Sequence, residues 1–149
     1  MTNNIAVLPF ENAVFLDINS IESSPFQPRR EFPEAEMREL TDSIRTHGVL
    51  HPIVVRPVKG KKHKGVAYQL VAGERRWRAA TAAHLKLLPA TVREMSDFEA
   101  ATLALVENIQ RNDPDDWGMA ERMRWLMQEH ERRHKAPMSE RQLARQLGK

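Results

Sequence analysis

The hydrophobic pattern of this chain changes in character near residue 95, and that change limits the fold more than any motif does. Up to about residue 95, short runs of strand formers are interleaved with stretches of helical spacing; beyond it only the helical spacing continues. Val14-Phe15-Leu16-Asp17-Ile18 alternates and predicts a short strand. Ser24-Pro25-Phe26-Gln27-Pro28-Arg29-Arg30 follows as a loop, because its two prolines exclude a helix or a sheet interior. Pro33 can open a helix at its first turn, Met37, Leu40 and Ile44 lie at helical spacing, and Gly48 supplies a left-handed stop. Ile53-Val54-Val55 and the run 66–72 read as strands joined by a hairpin, with Lys59-Gly60-Lys61-Lys62-His63-Lys64-Gly65 as its solvated tip.

An Ala-rich helical pattern covers 74–84, and 89–93 can be another short strand. Ser96 with Glu99 forms the S-x-x-E signature that starts a helix running through Leu103, Val106 and Ile109. Asn112-Asp113-Pro114-Asp115-Asp116 interrupts it, and a further helix from about residue 118 sets Met119, Met123 and Leu126 on one face. Pro137 ends that segment, and Ser139 caps a last short helix. Strands mixed with helices, then helices alone, predict an α+β domain with an all-helical extension. The expected divisions are a mobile arm over 1–13, the α+β domain over 14–112 and the extension over 113–149.

Composition narrows the function classes. The 149 residues contain no Cys, which excludes disulfides, thiol catalysis and thiolate metal sites. A hydrophobic share of 41% argues against disorder over the whole length. Every apolar run is far shorter than the roughly 18 residues of a membrane helix, and the N-terminus lacks the basic and apolar regions of a secretory signal. The expected compartment is the cytoplasm. The formal net charge of +3 is unevenly spread. Arg122, Arg124, Arg132, Arg133, Lys135, Arg141, Arg145 and Lys149 stand against Glu121, Glu129, Glu131 and Glu140, so the basic character belongs to the C-terminal end. That end suits a polyanion, or it is simply solvated helix surface.

The densest chemistry is Gly73-Glu74-Arg75-Arg76-Trp77-Arg78-Ala79, between a predicted strand and a predicted helix. Backbone N–H groups and the dipole at a helix N-terminus favour an anion, and Gly73 lets the backbone approach one closely. Three arginines there offer forked donors suited to phosphate. As a merely solvated turn they would oppose the dipole. Glu107-Asn108-Ile109-Gln110-Arg111 ends the next helix; Glu107 and Asn108 are hard oxygen ligands of the kind Mg²⁺ accepts beside phosphates, although a polar helix end accounts for them equally well. His130-Glu131-Arg132-Arg133-His134 matches the H-E-x-x-H zinc motif, but two arginines and the lack of a third ligand argue for a solvated helix end.

Taken together, Gln27-Pro28-Arg29, Gly48-Val49-Leu50-His51-Pro52-Ile53-Val54-Val55-Arg56, Gly73-Glu74-Arg75-Arg76-Trp77-Arg78-Ala79 and Glu107-Asn108-Ile109-Gln110-Arg111 resemble, in order, the N-terminal domain of ParB-type partition proteins. The resemblance covers about residues 14–149 and implies a small mixed sheet with packed helices, of the kind shared with sulfiredoxins. It implies binding and slow hydrolysis of CTP with Mg²⁺, gating a dimeric clamp on a centromere-like DNA site, with a ParA-type ATPase as a further partner. By that resemblance Gly73, Glu74, Arg75 and Arg76 cradle the phosphates, and Glu107 and Asn108 meet the metal and phosphate. Gln27, Arg29, Gly48 and Arg111 belong to the nucleotide pocket, with Gln27 and Glu74 supporting hydrolysis; the 48–52 loop lies near the base, with His51 where the family usually has Gln. Residues 139–149 look like the first helix of the family's helix-turn-helix, so the sequence reads as a piece of a longer protein. A DNA-binding regulator with a degenerate pocket and a metal-dependent nuclease are the alternative readings.

Overall fold

The computed structural model describes residues 12–26, 32–59, 65–109 and 116–146. The chain divides into two compact units, one formed by Met1–Ser23 with Phe32–Glu94, the other by Ser24–Glu31 with Met95–Lys149.

The first unit is built on a five-stranded mixed sheet. In chain order its elements are β1 (Ala13–Asp17), a single 3₁₀ turn (Ile18–Ser20), β2 (Ile21–Glu22), α1 (Glu34–His47), β3 (Ile53–Pro57), β4 (Tyr68–Ala72), α2 (Glu74–Ala82) and β5 (Leu87–Val92). The strands lie in the order β1-β5-β3-β4-β2. β3 and β4 form the expected antiparallel hairpin, β1 runs antiparallel to β5, and β3–β5 and β2–β4 are parallel pairs. Ile53, Val55, Leu70, Leu88 and Ala90 fill the core, and Ala79 and Ala80 of α2, each wholly buried, join the same cluster. Residues that small let a helix axis come close to a sheet.

Several local expectations shift. Ile18 is not strand, because the Asp17 carboxylate accepts the Asn19 N–H at 2.8 Å and turns the chain. Pro33 is the N-cap of α1 rather than its first helical residue, with φ −53° and ψ 128°. Gly48 stops α1 with φ 75°, but its ψ of −173° is extended rather than left-handed helical. β5 begins two residues earlier than expected and holds Pro89 opposite Phe15, between β1 and β3.

The second unit is helical: α3 (Asp97–Ile109), α4 (Asp116–His134) and α5 (Glu140–Gln146). The box at Ser96 forms as expected, with the Ser96 N–H donating to Glu99 Oε2 at 2.7 Å and the Glu99 N–H to Ser96 Oγ at 3.2 Å. Ser139 caps α5 in the same way through Gln142. The core is Ala101, Leu105, Leu126, Met138 and Leu143, flanked by Met123 and by Phe26, whose ring stands 5.0 Å from that of Trp125. Leu126 is thus spent on the unit's own interior. Among the described residues no helix is long and apolar enough to cross a membrane.

Candidate functional site

The site grows from the junction of β4 and α2. The β3–β4 ladder shifts register between Val54 and Val55, two residues before its end at Ala72. Gly73 then takes φ 102° and ψ 31° as the N-cap of α2. Two facts require glycine here. The backbone is left-handed, and a Cβ would lie 2.7 Å from Ile53 Cγ2. The helical ladder opens with the Trp77 N–H on the Gly73 carbonyl at 3.0 Å, so the helix start lies open to an acceptor at residues 74 and 75.

Each charged side chain of the turn has its own work. Glu74 is almost wholly buried, at 1% exposure. Its Oε1 accepts from Arg78 Nε at 2.8 Å, and Ser23 Oγ donates to Oε1 and Oε2 at 3.2 and 3.3 Å. A carboxylate so held in the first turn satisfies the dipole and one of the arginines. Arg75 Nη2 meets Glu36 Oε2 of α1 at 3.1 Å, while its Nε is buried with no partner. The guanidinium carbons of Arg75 and Arg78 stand 5.7 and 5.2 Å from the Phe32 ring centroid, within cation–π range. Arg76 Nη1 donates to the carbonyls of His51 at 2.9 Å and Pro52 at 2.7 Å. The three arginines are therefore fixed in direction rather than loose in solvent.

An unpartnered buried N–H of a cation is costly unless an acceptor completes it. Together with the glycine-started helix, Arg75 Nε makes the turn suited to an oxyanion, and the donor set fits phosphate. Gly48 stands at the head of the 48–52 loop, its N–H donating to Ile44 O at 2.8 Å. Glu107 is half-buried in the last turn of α3, in the second unit. Gln27, Arg29 and Arg111 lie outside the described residues, as does the side chain of Asn108. Ser23, Phe32 and Glu36 escaped the sequence reading, since no local spacing links them to α2 across 51 and 39 positions.

The H-E-x-x-H motif has its two imidazoles 4.4 Å apart on α4, with Arg132 and Arg133 both bonded to Glu129. Among the described residues no three His, Cys, Asp or Glu side chains assemble as a metal site.

A mixed sheet of this order, with a glycine-started basic helix after a strand and a helical unit following, agrees with the resemblance that the sequence motifs carry. The family model described as the ParB N-terminal domain matches residues 4–109, and the chain belongs to that family. It is 50% identical over 110 residues to the chromosome-partitioning protein Spo0J of Thermus thermophilus, covering 72% of this chain and 39% of that one. It is 40% identical over 134 residues to the probable chromosome-partitioning protein ParB of Pseudomonas putida, covering 90% and 42%. The chain thus spans about two fifths of the length of these curated relatives.

Two solved structures are similar, both of C-terminally truncated ParB from Caulobacter crescentus. One, complexed with CTP-gamma-S, is 39% identical with a TM-score of 0.60, over 92% of this chain and 71% of that one. The other, complexed to the centromeric parS site, is 36% identical with a TM-score of 0.64, over 91% and 65%. A Pnob8-like ParB-N domain, 12% identical with a TM-score of 0.63, shares the fold.

Proposed function

We propose that this chain is the nucleotide-binding part of a partition protein, taking CTP with Mg²⁺ and acting within a dimeric clamp on centromere-like DNA in the cytoplasm. The observation that carries the reading is the turn at the start of α2, which combines a left-handed Gly73 at the helix N-cap with a buried, unpartnered Arg75 Nε in the first turn. It is supported by the CTP-gamma-S and parS complexes of the Caulobacter relative. The triphosphate sits on Gly73, Glu74 and Arg75, with Arg76, Gln27, Arg29, Gly48 and Arg111 completing the pocket. Glu107 and Asn108 hold Mg²⁺, which neutralises phosphate charge when bound.

Hydrolysis is slow and serves as a switch. Gln27 supports it, and Glu74 supports it indirectly. The Glu74 carboxylate is occupied by Ser23 and Arg78, which fits it for holding the turn in shape. The C-terminal helices lead toward the DNA-reading helix-turn-helix, and a ParA-type ATPase is the further partner.

Calorimetric titration with CTP, ATP, GTP and UTP in Mg²⁺ tests the reading. CTP binds selectively, and Arg75→Ala weakens it by about tenfold or more, the worth of a charge-assisted hydrogen bond to phosphate. Absence of binding by all four nucleotides would overturn it, and equal affinity for all four would remove CTP from it.

A further inference from the structure

The H-E-x-x-H segment has no task in the nucleotide reading, yet its two histidines are well placed to act together. His130 and His134 lie four residues apart on α4, so their side chains share one face of the helix. Their ring centroids are 4.4 Å apart and the ring planes are inclined by 38°. The His130 ring also stands 6.3 Å from that of Phe98 on α3, which sets one member of the pair against a second helix of the same unit. Two imidazole nitrogens, each about 2.0–2.1 Å from one metal ion and at a right angle to each other, put the ring centres roughly 4.5 Å apart. A tetrahedral shell of the kind zinc prefers would need about 5.2 Å. The observed spacing is that of neighbouring ligands in a square or octahedral shell.

The two arginines between the histidines do not stand against a cation there. Arg132 donates to Glu129 through Nε and Nη2 at 2.9 and 2.6 Å, and Arg133 through Nε at 2.8 Å. Both guanidiniums are drawn to a carboxylate on the preceding turn, and the exposed Glu131 supplies a second negative charge, so the charges from 129 to 133 cancel. His134 is the last residue of α4, where unpaired carbonyls carry a partial negative charge that favours a cation. His130 is half-buried and His134 exposed, which leaves the outer side of the pair open to an ion and its water.

We infer that His130 and His134 form a two-imidazole surface chelate for a late divalent transition metal, taking Cu²⁺ ahead of Ni²⁺ and Zn²⁺. Imidazole suits all three ions, Cu²⁺ heads the affinity order of the series, and the right-angle spacing suits tetragonal copper better than tetrahedral zinc. The site is not a hydrolytic centre, because among the described residues no third side chain joins the pair. Its effect is mechanical. The ion ties residue 130 to residue 134 across the last turn of α4, just before the chain leaves the helix at Lys135 with φ 53°. Helix ends open more readily than their middles, so a link at this place slows fraying where fraying is fastest.

The test uses Cu²⁺ alone, titrated calorimetrically in a buffer that does not chelate it, into the wild-type chain, His130→Gln, His134→Gln and His47→Gln. His47 is an exposed histidine at the end of α1 and serves as the control. The wild-type chain takes one Cu²⁺ at its tightest site. Glutamine at 130 or at 134 lowers that affinity by about a hundredfold, the scale of losing one arm of a bivalent ligand, while His47→Gln leaves it unchanged. Ni²⁺ and Zn²⁺ bind the same site more weakly. Amide exchange gives a second readout: Cu²⁺ slows residues 131–135 by about tenfold in the wild-type chain and leaves them unaltered in His134→Gln, with no change in α1 of either. A loss in only one of the two α4 variants, or an equal loss in His47→Gln, overturns the chelate. Zn²⁺ binding tighter than Cu²⁺ overturns the metal assignment, and unchanged exchange at 131–135 on Cu²⁺ binding overturns the link across the last turn. Nucleotide takes no part in these measurements, so their failure leaves the nucleotide reading standing.

Discussion

A methyl group at residue 73 would meet Ile53 Cγ2 at 2.7 Å and would have to tolerate a φ of 102°. Neither neighbour can yield cheaply, since Ile53 is wholly buried and Arg76 holds the 48–52 loop. Gly73→Ala is therefore expected to lower stability by about 2–4 kcal/mol, adding the left-handed backbone cost to that of overpacking a core. Urea denaturation measures it; a loss under about 0.5 kcal/mol, the usual scale of an innocuous surface change, would mean the junction is softer than its geometry. This residue was legible in the sequence as the start of a basic helix. The buried carboxylate beside it was legible only as a site residue. That Glu74 is held by Ser23 and Arg78 depends on a contact 51 positions away, which no local pattern encodes.

At the scale of elements, propensity and capping located most helices and strands, because each carries its own signal. The Ser96–Glu99 box, the Ala-rich α2 and the valine-rich β3 are examples. β2 was missed because two residues paired parallel to β4 have no period to read. Pro89 in β5 misled the start of that strand, since proline donates no ladder bond. On α4 a further device follows from i,i+3 and i,i+4 spacing. Glu129 accepts from Arg132 Nε and Nη2 at 2.9 and 2.6 Å and from Arg133 Nε at 2.8 Å. These bonds, that of Arg132 first, hold its carboxyl at about 2, well below the ordinary 4.5. A carboxyl with a depressed folded pKa binds fewer protons folded than unfolded. Its stabilisation is complete above 4.5 and disappears as pH falls through that value toward about 2. The melting-temperature gap between the wild-type chain and Glu129→Gln should accordingly stay constant from pH 7 to about 5 and close on further acidification. A gap that widens in acid would contradict the assignment.

For the whole molecule, the change of hydrophobic period near residue 95 falls where the chain passes from the first unit to the second, between Glu94 and Met95. The other crossing had no such signal: Ser24–Glu31 reads as a proline-bearing loop, yet it belongs to the helical unit and places Phe26 against Trp125. A loop earns its place there through one aromatic side chain, and only tertiary packing reveals it. The two units have separate hydrophobic clusters, Ile53, Val55, Leu70 and Leu88 in one and Leu105, Leu126 and Met138 in the other. Separate cores open as separate cooperative regions. Leu126, 1% exposed, is a good lever on the second. Leu126→Ala should cost about 3 kcal/mol, a typical value for a buried leucine truncated to a cavity. Amide exchange should then accelerate in α3, α4 and α5 by a factor of about a hundred, that free energy expressed as an opening constant, while β3 and β5 keep their protection. Equal acceleration in both units would show instead that the two cores open in a single cooperative step.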